Sequence, residues 1–154
     1  MQDYTIDKIK LDKSNLESLV NLNLKFSREV FRINQNFDRV KCDLKSNFEK
    51  EIYDCLVAKN KTRMVGYSLW GYEPKYHKTF KNAYLIEEYV LPNYRKKLIG
   101  LNLISLTLKY LQSKGCQQCF INVDHDNKKM MRLIKFFKFE PAYKRRNLFK
   151  KKLK

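Results

Sequence analysis

The chain has 154 residues, about one ordinary domain, and 44% of them are hydrophobic, which excludes a disordered polypeptide. No run approaches the ~20 apolar residues that span a bilayer, and the amino terminus MQDYTIDKIK has no apolar signal core, so a soluble, cytoplasmic protein is expected. The formal net charge of +17 favours anionic partners such as nucleic acid, phosphorylated cofactors or acidic proteins, or else a well-solvated lysine-rich surface.

Residues 4–11, YTIDKIKL, alternate apolar and polar side chains and predict a first strand. Ser14 and Glu17 have capping-box spacing and open a helix through about residue 31, with Leu16, Leu19, Val20, Leu24, Val30 and Phe31 at helical intervals. A polar break, RINQN, precedes a second helix over 36–53, striped by Phe37, Val40, Leu44, Phe48 and Ile52. Residues 55–60 and 63–72 then read as a hairpin, and 82–91 as a third long strand ended by Pro92. A helix over 97–114 is apolar on most of its circumference, as a buried central helix would be, and Gly115 stops it. A strand over 116–124 follows, then a short helix capped by Asp126 or Asn127 that runs to about 137, with Met130, Leu133, Ile134 and Phe137 inward. The basic tail PAYKRRNLFKKK supplies a last strand. The order β-α-α-β-β-β-α-β-α-β runs without linker or repeat, so residues 1–154 form one α/β (α+β) domain.

The four cysteines include a lone CxxC, Cys116 and Cys119. Residues three apart on a strand point to opposite faces, which is poor geometry for one metal, and free thiols are the expected state.

Three segments carry a resemblance to a known family. RMVGYSLW resembles the second central strand of the GNAT superfamily of N-acetyltransferases. YLIEEYVLPNYRKKLIGLNLISLTLKYLQSKG resembles that family's signature strand, loop and helix, and FINVDHDNKKMMRLIKFFKFEP its next strand and helix. The resemblance implies a central mixed, mostly antiparallel, splayed sheet flanked by helices, with acetyl-CoA as cosubstrate and an amine as acceptor. It also implies that Tyr89, Val90 and Leu91 present unpaired backbone groups to the pantetheine arm, as to an added strand. The loop Arg95, Lys96, Lys97, Leu98, Ile99, Gly100 would hold the pyrophosphate at a helix N-terminus, and Asn127 falls where the family often bonds the cofactor arm.

The sequence departs from the family pattern at three places. Leu98 stands at the first glycine of the loop; leucine takes a left-handed conformation only at a cost, and turning it into the core would keep the phosphates clear. Ile134 replaces a tyrosine that protonates the departing thiolate in many members, and a hydrocarbon cannot donate that proton. Lys138 replaces the glycine before Phe139.

For the chemistry itself, Glu87 and Glu88 lie on one strand and alternate to opposite faces, so one of them can meet the acceptor cleft as a base. A backbone N–H near Val90 or Leu91 would polarise the thioester carbonyl. Tyr89, Tyr94 and Tyr143 are the acids available, and His77 and His125 lie in loops. Residues 128–154 hold twelve Lys and Arg against one acid, Glu140, with aromatics interleaved. An alternative reading therefore makes the chain an inactive member of the fold that binds nucleic acid or an acidic protein, or a structural subunit of a larger assembly. Family members often pair, so a homodimer is a further expectation.

Overall fold

The computed structural model describes residues 4–72, 82–142 and 147–153. Its spine is a seven-stranded sheet in the order β1-β2-β3-β4-β5-β7-β6. The strands are β1 (Thr5–Lys8), β2 (Tyr53–Asn60), β3 (Arg63–Tyr72), β4 (Asn82–Val90), β5 (Gln118–Asn122), β6 (Glu140–Pro141) and β7 (Leu148–Lys152). Every pairing is antiparallel except β4 with β5, because the helix between those two strands returns the chain to the same end of the sheet. The basic tail thus forms two strands where the sequence predicts one: Glu140 and Pro141 pair back onto Lys150 and Phe149.

Four α-helices flank the sheet: α1 (Lys13–Phe26), α2 (Phe37–Glu49), α3 (Ile99–Ser113) and α4 (Lys128–Phe136). The cap of α1 is Asp12, which accepts from the Asn15 N–H at 2.8 Å, and not Ser14. Glu17, the expected second half of the capping box, instead pairs with Lys41 of α2 at 2.8 Å. Helix α1 runs on into a π-helical turn, Ser27–Phe31, that ends on left-handed Arg32. That wider turn breaks the 3.6-residue period. Leu16, Leu19 and Val20 are buried as expected, while Val30 and Phe31 are 47% and 59% exposed.

One face of the sheet carries α1 and α2, the other α3. On the α3 face, Thr107 donates to Ser68 of β3 at 2.9 Å and Trp70 packs on Tyr110. Tyr110 and Lys8 both bond Asp54, tying α3 and the edge strand β1 to β2. Leu103, Ile104, Leu108 and Leu111 of α3 are buried, as are Leu85 and Ile121 of the strands. On the α1 face, Phe26 meets the Tyr89 ring at 6.1 Å. Gly115 closes α3 at φ +77°, a left-handed position that suits glycine.

Candidate active site

The parallel pair β4 and β5 is joined only from Asn82↔Gln118 to Leu85↔Ile121. Beyond Leu85, β4 continues to Val90 with β3 as its only partner, so the two central strands part towards their C-terminal ends. The Leu91 N–H bonds the Val65 carbonyl at 2.9 Å. Antiparallel alternation then turns the backbone groups of Tyr89 and Glu87 to β3 and those of Glu88 and Val90 outward, to the side β5 has left. Of the two residues expected to offer an N–H for the carbonyl, Leu91 is therefore committed to the ladder and Val90 is not. The Val90 carbonyl accepts from Arg95 Nε at 2.9 Å.

Helix α3 begins directly above this parting. Its first intrahelical bond is Asn102 N–H to the Leu98 carbonyl at 2.9 Å, which leaves the N–H groups of Ile99, Gly100 and Leu101 without an intrahelical partner. Leu98 is the cap residue and its side chain has no acceptor to offer. Lys96 and Leu98 both sit at positive φ, 67° and 60°, which folds the loop tightly around the helix start. Leu98 thus does adopt the left-handed conformation of the glycine it replaces. Its side chain does not turn into the core: it is 64% exposed, because a left-handed cap directs Cβ away from the helix it starts. Arg95 is directed away from the helix end. Its guanidinium pairs with Glu29 at 2.7 Å and lies over the Tyr89 ring at 5.5 Å, so Lys96, Lys97 and the backbone remain for an anion. A cleft of about 600 Å³ opens on the β3 side of the loop, with Lys25, Arg63 and Lys97 on its walls.

Glu87 and Glu88 occupy opposite faces. Glu87 accepts from Tyr67 Oη at 2.7 Å and from Asn23 Nδ2 of α1 at 2.6 Å. Burial raises its carboxyl above the ordinary range, against the two donors, which favour the charged form. Glu88 lies on the α3 face, where burial pushes it up to about 7 despite Arg95. A methyl group at Gly100 would stand 2.5 Å from Glu88 Oε1, so this glycine is the space in which the carboxyl sits. Next to Glu87 the register with β3 steps from Leu69↔Glu87 to Trp70↔Leu85, making Ile86 the extra residue of a β-bulge. The bulge lies at the point where β5 pairing ends.

The other residues singled out in the sequence scatter. Asn127 caps α4, accepting from the Met130 N–H at 3.1 Å through Oδ1, and its amide nitrogen is not used in that cap. Tyr89 donates to Glu29 at 2.9 Å and is pushed up to about 12 by burial and by that carboxylate. Tyr94 stacks under Lys97, and His125 meets Phe149 edge-on. Ile134 is 2% exposed, a core side chain. His77 and Tyr143 lie outside the described residues. Cys116 and Cys119 are buried free thiols, and among the described residues no cluster of three metal-ligating side chains occurs. Sequence reasoning missed Asn23, Tyr67 and Glu29, whose partners lie 64, 20 and 60 residues away along the chain, so that no local pattern marks them.

The sheet thus opens between its parallel central strands beneath an uncapped helix N-terminus, with the half-buried Glu87 and Glu88 beside the opening. The profile of the acetyltransferase (GNAT) family matches residues 16–139, and the chain belongs to that family. Mouse thialysine N-epsilon-acetyltransferase is 34% identical over 96 residues, 57% of this chain and 56% of that protein, so the match spans little more than half of the curated relative. Among solved structures, a GNAT-family acetyltransferase from Staphylococcus aureus superposes with a TM-score of 0.77 at 14% identity, covering 97% of this chain and 100% of its own. A Salmonella typhimurium protein solved with its cofactor acetyl-CoA gives 0.77 at 16% identity, covering 99% and 95%. An N-acetyltransferase from Thermoplasma acidophilum in complex with coenzyme A gives 0.69 at 18%, covering 96% and 99%. Among the described residues no helix is long and apolar enough to cross a membrane.

Proposed function

We propose that the chain is an N-acetyltransferase that moves the acetyl group of acetyl-CoA to a primary amine. The observation that carries this reading is the parting of β4 and β5 after Leu85↔Ile121, directly in front of the open N–H groups of α3. The outward backbone groups of Glu88 and the Val90 N–H would hold the pantetheine amides as a further strand does. The N–H groups of Ile99, Gly100 and Leu101, with Lys96 and Lys97, would take the diphosphate. The name of the mouse relative describes acetyl transfer to an amine, which supports the acceptor class.

In the reaction the amine nitrogen forms a bond to the thioester carbonyl carbon, the carbon–sulfur bond breaks, and the thiolate takes up a proton. Acceptor amines arrive largely as ammonium ions and must lose a proton first. Glu87 is the base for this step. It lies on the α1 face beside the bulge, its raised pKa makes it a better proton acceptor, and Tyr67 and Asn23 fix its orientation. Glu88, covered by α3, does not face the acceptor. Ile134 has no hydroxyl to donate; water or the proton released by the ammonium can protonate the thiolate, and positioning supplies much of the acceleration.

The test has two parts. Calorimetric titration with acetyl-CoA should give saturable one-site binding, and its absence at physiological ionic strength would remove the reading. Glu87→Gln should then lower turnover on a screened amine by about 100-fold while cofactor affinity stays within about twofold. Undiminished turnover would exclude Glu87 as the base.

A further inference from the structure

Glu88 is a half-buried carboxyl to which transfer chemistry assigns no work. It is on β4, one residue from the base, yet it faces the opposite way, into the first turn of α3, where Gly100 has no side chain to exclude it. No hydrogen bond to it is made among the described residues, so nothing fixes its charge locally. The groups around it are few. β3 presents Ser68, whose hydroxyl oxygen accepts from Thr107 at 2.9 Å. The first turn of α3, Ile99 to Asn102, has no ionisable side chain. Among the described residues the charge that acts on Glu88 is the Arg95 guanidinium, itself paired with Glu29.

A helix N-terminus favours one nearby anion, and here two compete for it. When Glu88 is ionised, its charge partly satisfies the positive end of α3 and repels a second anion brought to the same turn. When it is protonated, the helix end is open to phosphate. We propose that Glu88 is a positioning residue that couples coenzyme A binding to the uptake of one proton, because its carboxyl must be neutral before a diphosphate can share the first turn of α3. The inference rests on the cofactor site described above, and it adds a pH dependence that the site's backbone donors would not have by themselves. The carboxyl titrates near pH 7 in the free protein, so the coupling operates across the physiological range.

The experiment is calorimetric titration of coenzyme A into the full chain from pH 6 to pH 9, each pH in two buffers of different ionisation enthalpy, for the wild type and Glu88→Gln. Wild-type affinity should fall as pH rises above about 7, approaching tenfold per pH unit over part of the range, with close to one proton taken up per ligand at pH 8. Glu88→Gln should bind about as tightly as the wild type at pH 6 and about 30-fold more tightly at pH 8.5, with the proton uptake gone. Glu88→Ala serves as a second variant, since it keeps the charge removal while giving up the amide, and it should show the same flattened profile. If Glu88→Gln and Glu88→Ala keep the wild-type pH dependence and proton count, the inference is wrong while the cofactor site stands. A wild type that binds coenzyme A with the same affinity throughout this pH range also overturns it. A wild type that binds none at any pH removes the cofactor site itself.

Discussion

Gly66 tests how closely the two strands that frame the site are held together. It sits in β3 opposite Val90, and a methyl group there would lie 2.9 Å from the Tyr89 carbonyl oxygen, 3.2 Å from Val90 Cγ2 and 3.4 Å from Val90 Cα. Two of these three atoms are backbone, so relief requires β3 and β4 to separate by roughly half an ångström, at an overpacking cost of about 1–3 kcal/mol. Alanine recovers about 0.5–1 kcal/mol by restricting the unfolded chain. Gly66→Ala is therefore expected to lose about 1–2 kcal/mol, a fall of about 3–6 °C in Tm for a domain of this size. Gly71 on the same strand is the control. Its methyl group would meet the Ile86 and Tyr53 side chains at 3.1 and 3.3 Å, and these can swing aside. Gly71→Ala should stay within about 0.5 kcal/mol of the wild type. Urea unfolding with a shared m-value measures both. A Gly66→Ala protein as stable as the wild type, or a larger loss at Gly71, would refute the argument that backbone crowding, not side-chain crowding, decides these sites. Since the displaced strand carries the outward groups of Glu88 and Val90, Gly66→Ala should also weaken coenzyme A binding in calorimetry.

Two more outcomes follow from single residues. Leu98→Gly relieves a left-handed leucine worth about 1–2 kcal/mol and returns about 0.5–1 kcal/mol to unfolded-chain entropy; because the side chain is exposed, a net gain of about 0.5–1 kcal/mol is expected in denaturation, and a loss would show that Leu98 makes contacts worth more than its strain. Tyr67→Phe removes a donor that favours the charged form of Glu87, so the Glu87 pKa should rise further. A base works only when deprotonated, so the acidic limb of the kcat/KM profile should move to higher pH; a limb that stays in place would show that it reports another group.

Much of this protein was legible in the residues because the signals were local. Helix α3 announces itself through near-continuous apolar residues between a basic loop and Gly115, and β3 through an unbroken run that ends up buried from Met64 to Gly71. The opposite facing of Glu87 and Glu88 follows from strand alternation alone. Local periodicity misled where geometry changed within an element. Val30 and Phe31 fit the α1 stripe on paper, but the π-turn carries them out of it. The tail read as one strand because nothing in its composition marks the return of Glu140 and Pro141 onto β7.

The site divides along the same line. The sequence by itself determined which segments are strands and helices, the basic loop before α3, and the pair of carboxylates, because each depends on neighbours a few residues away. Only the tertiary structure decided what those groups can do. It brought Asn23 and Tyr67 onto Glu87, drew Arg95 away from the loop to Glu29, and placed Glu88 in the space that Gly100 leaves. Burial and proximity set the proton affinity of a carboxyl, and both come from residues distant in the chain. The alternation of a strand says that two glutamates face apart; the elements packed on each side give one a pair of donors and the other a place at the helix end.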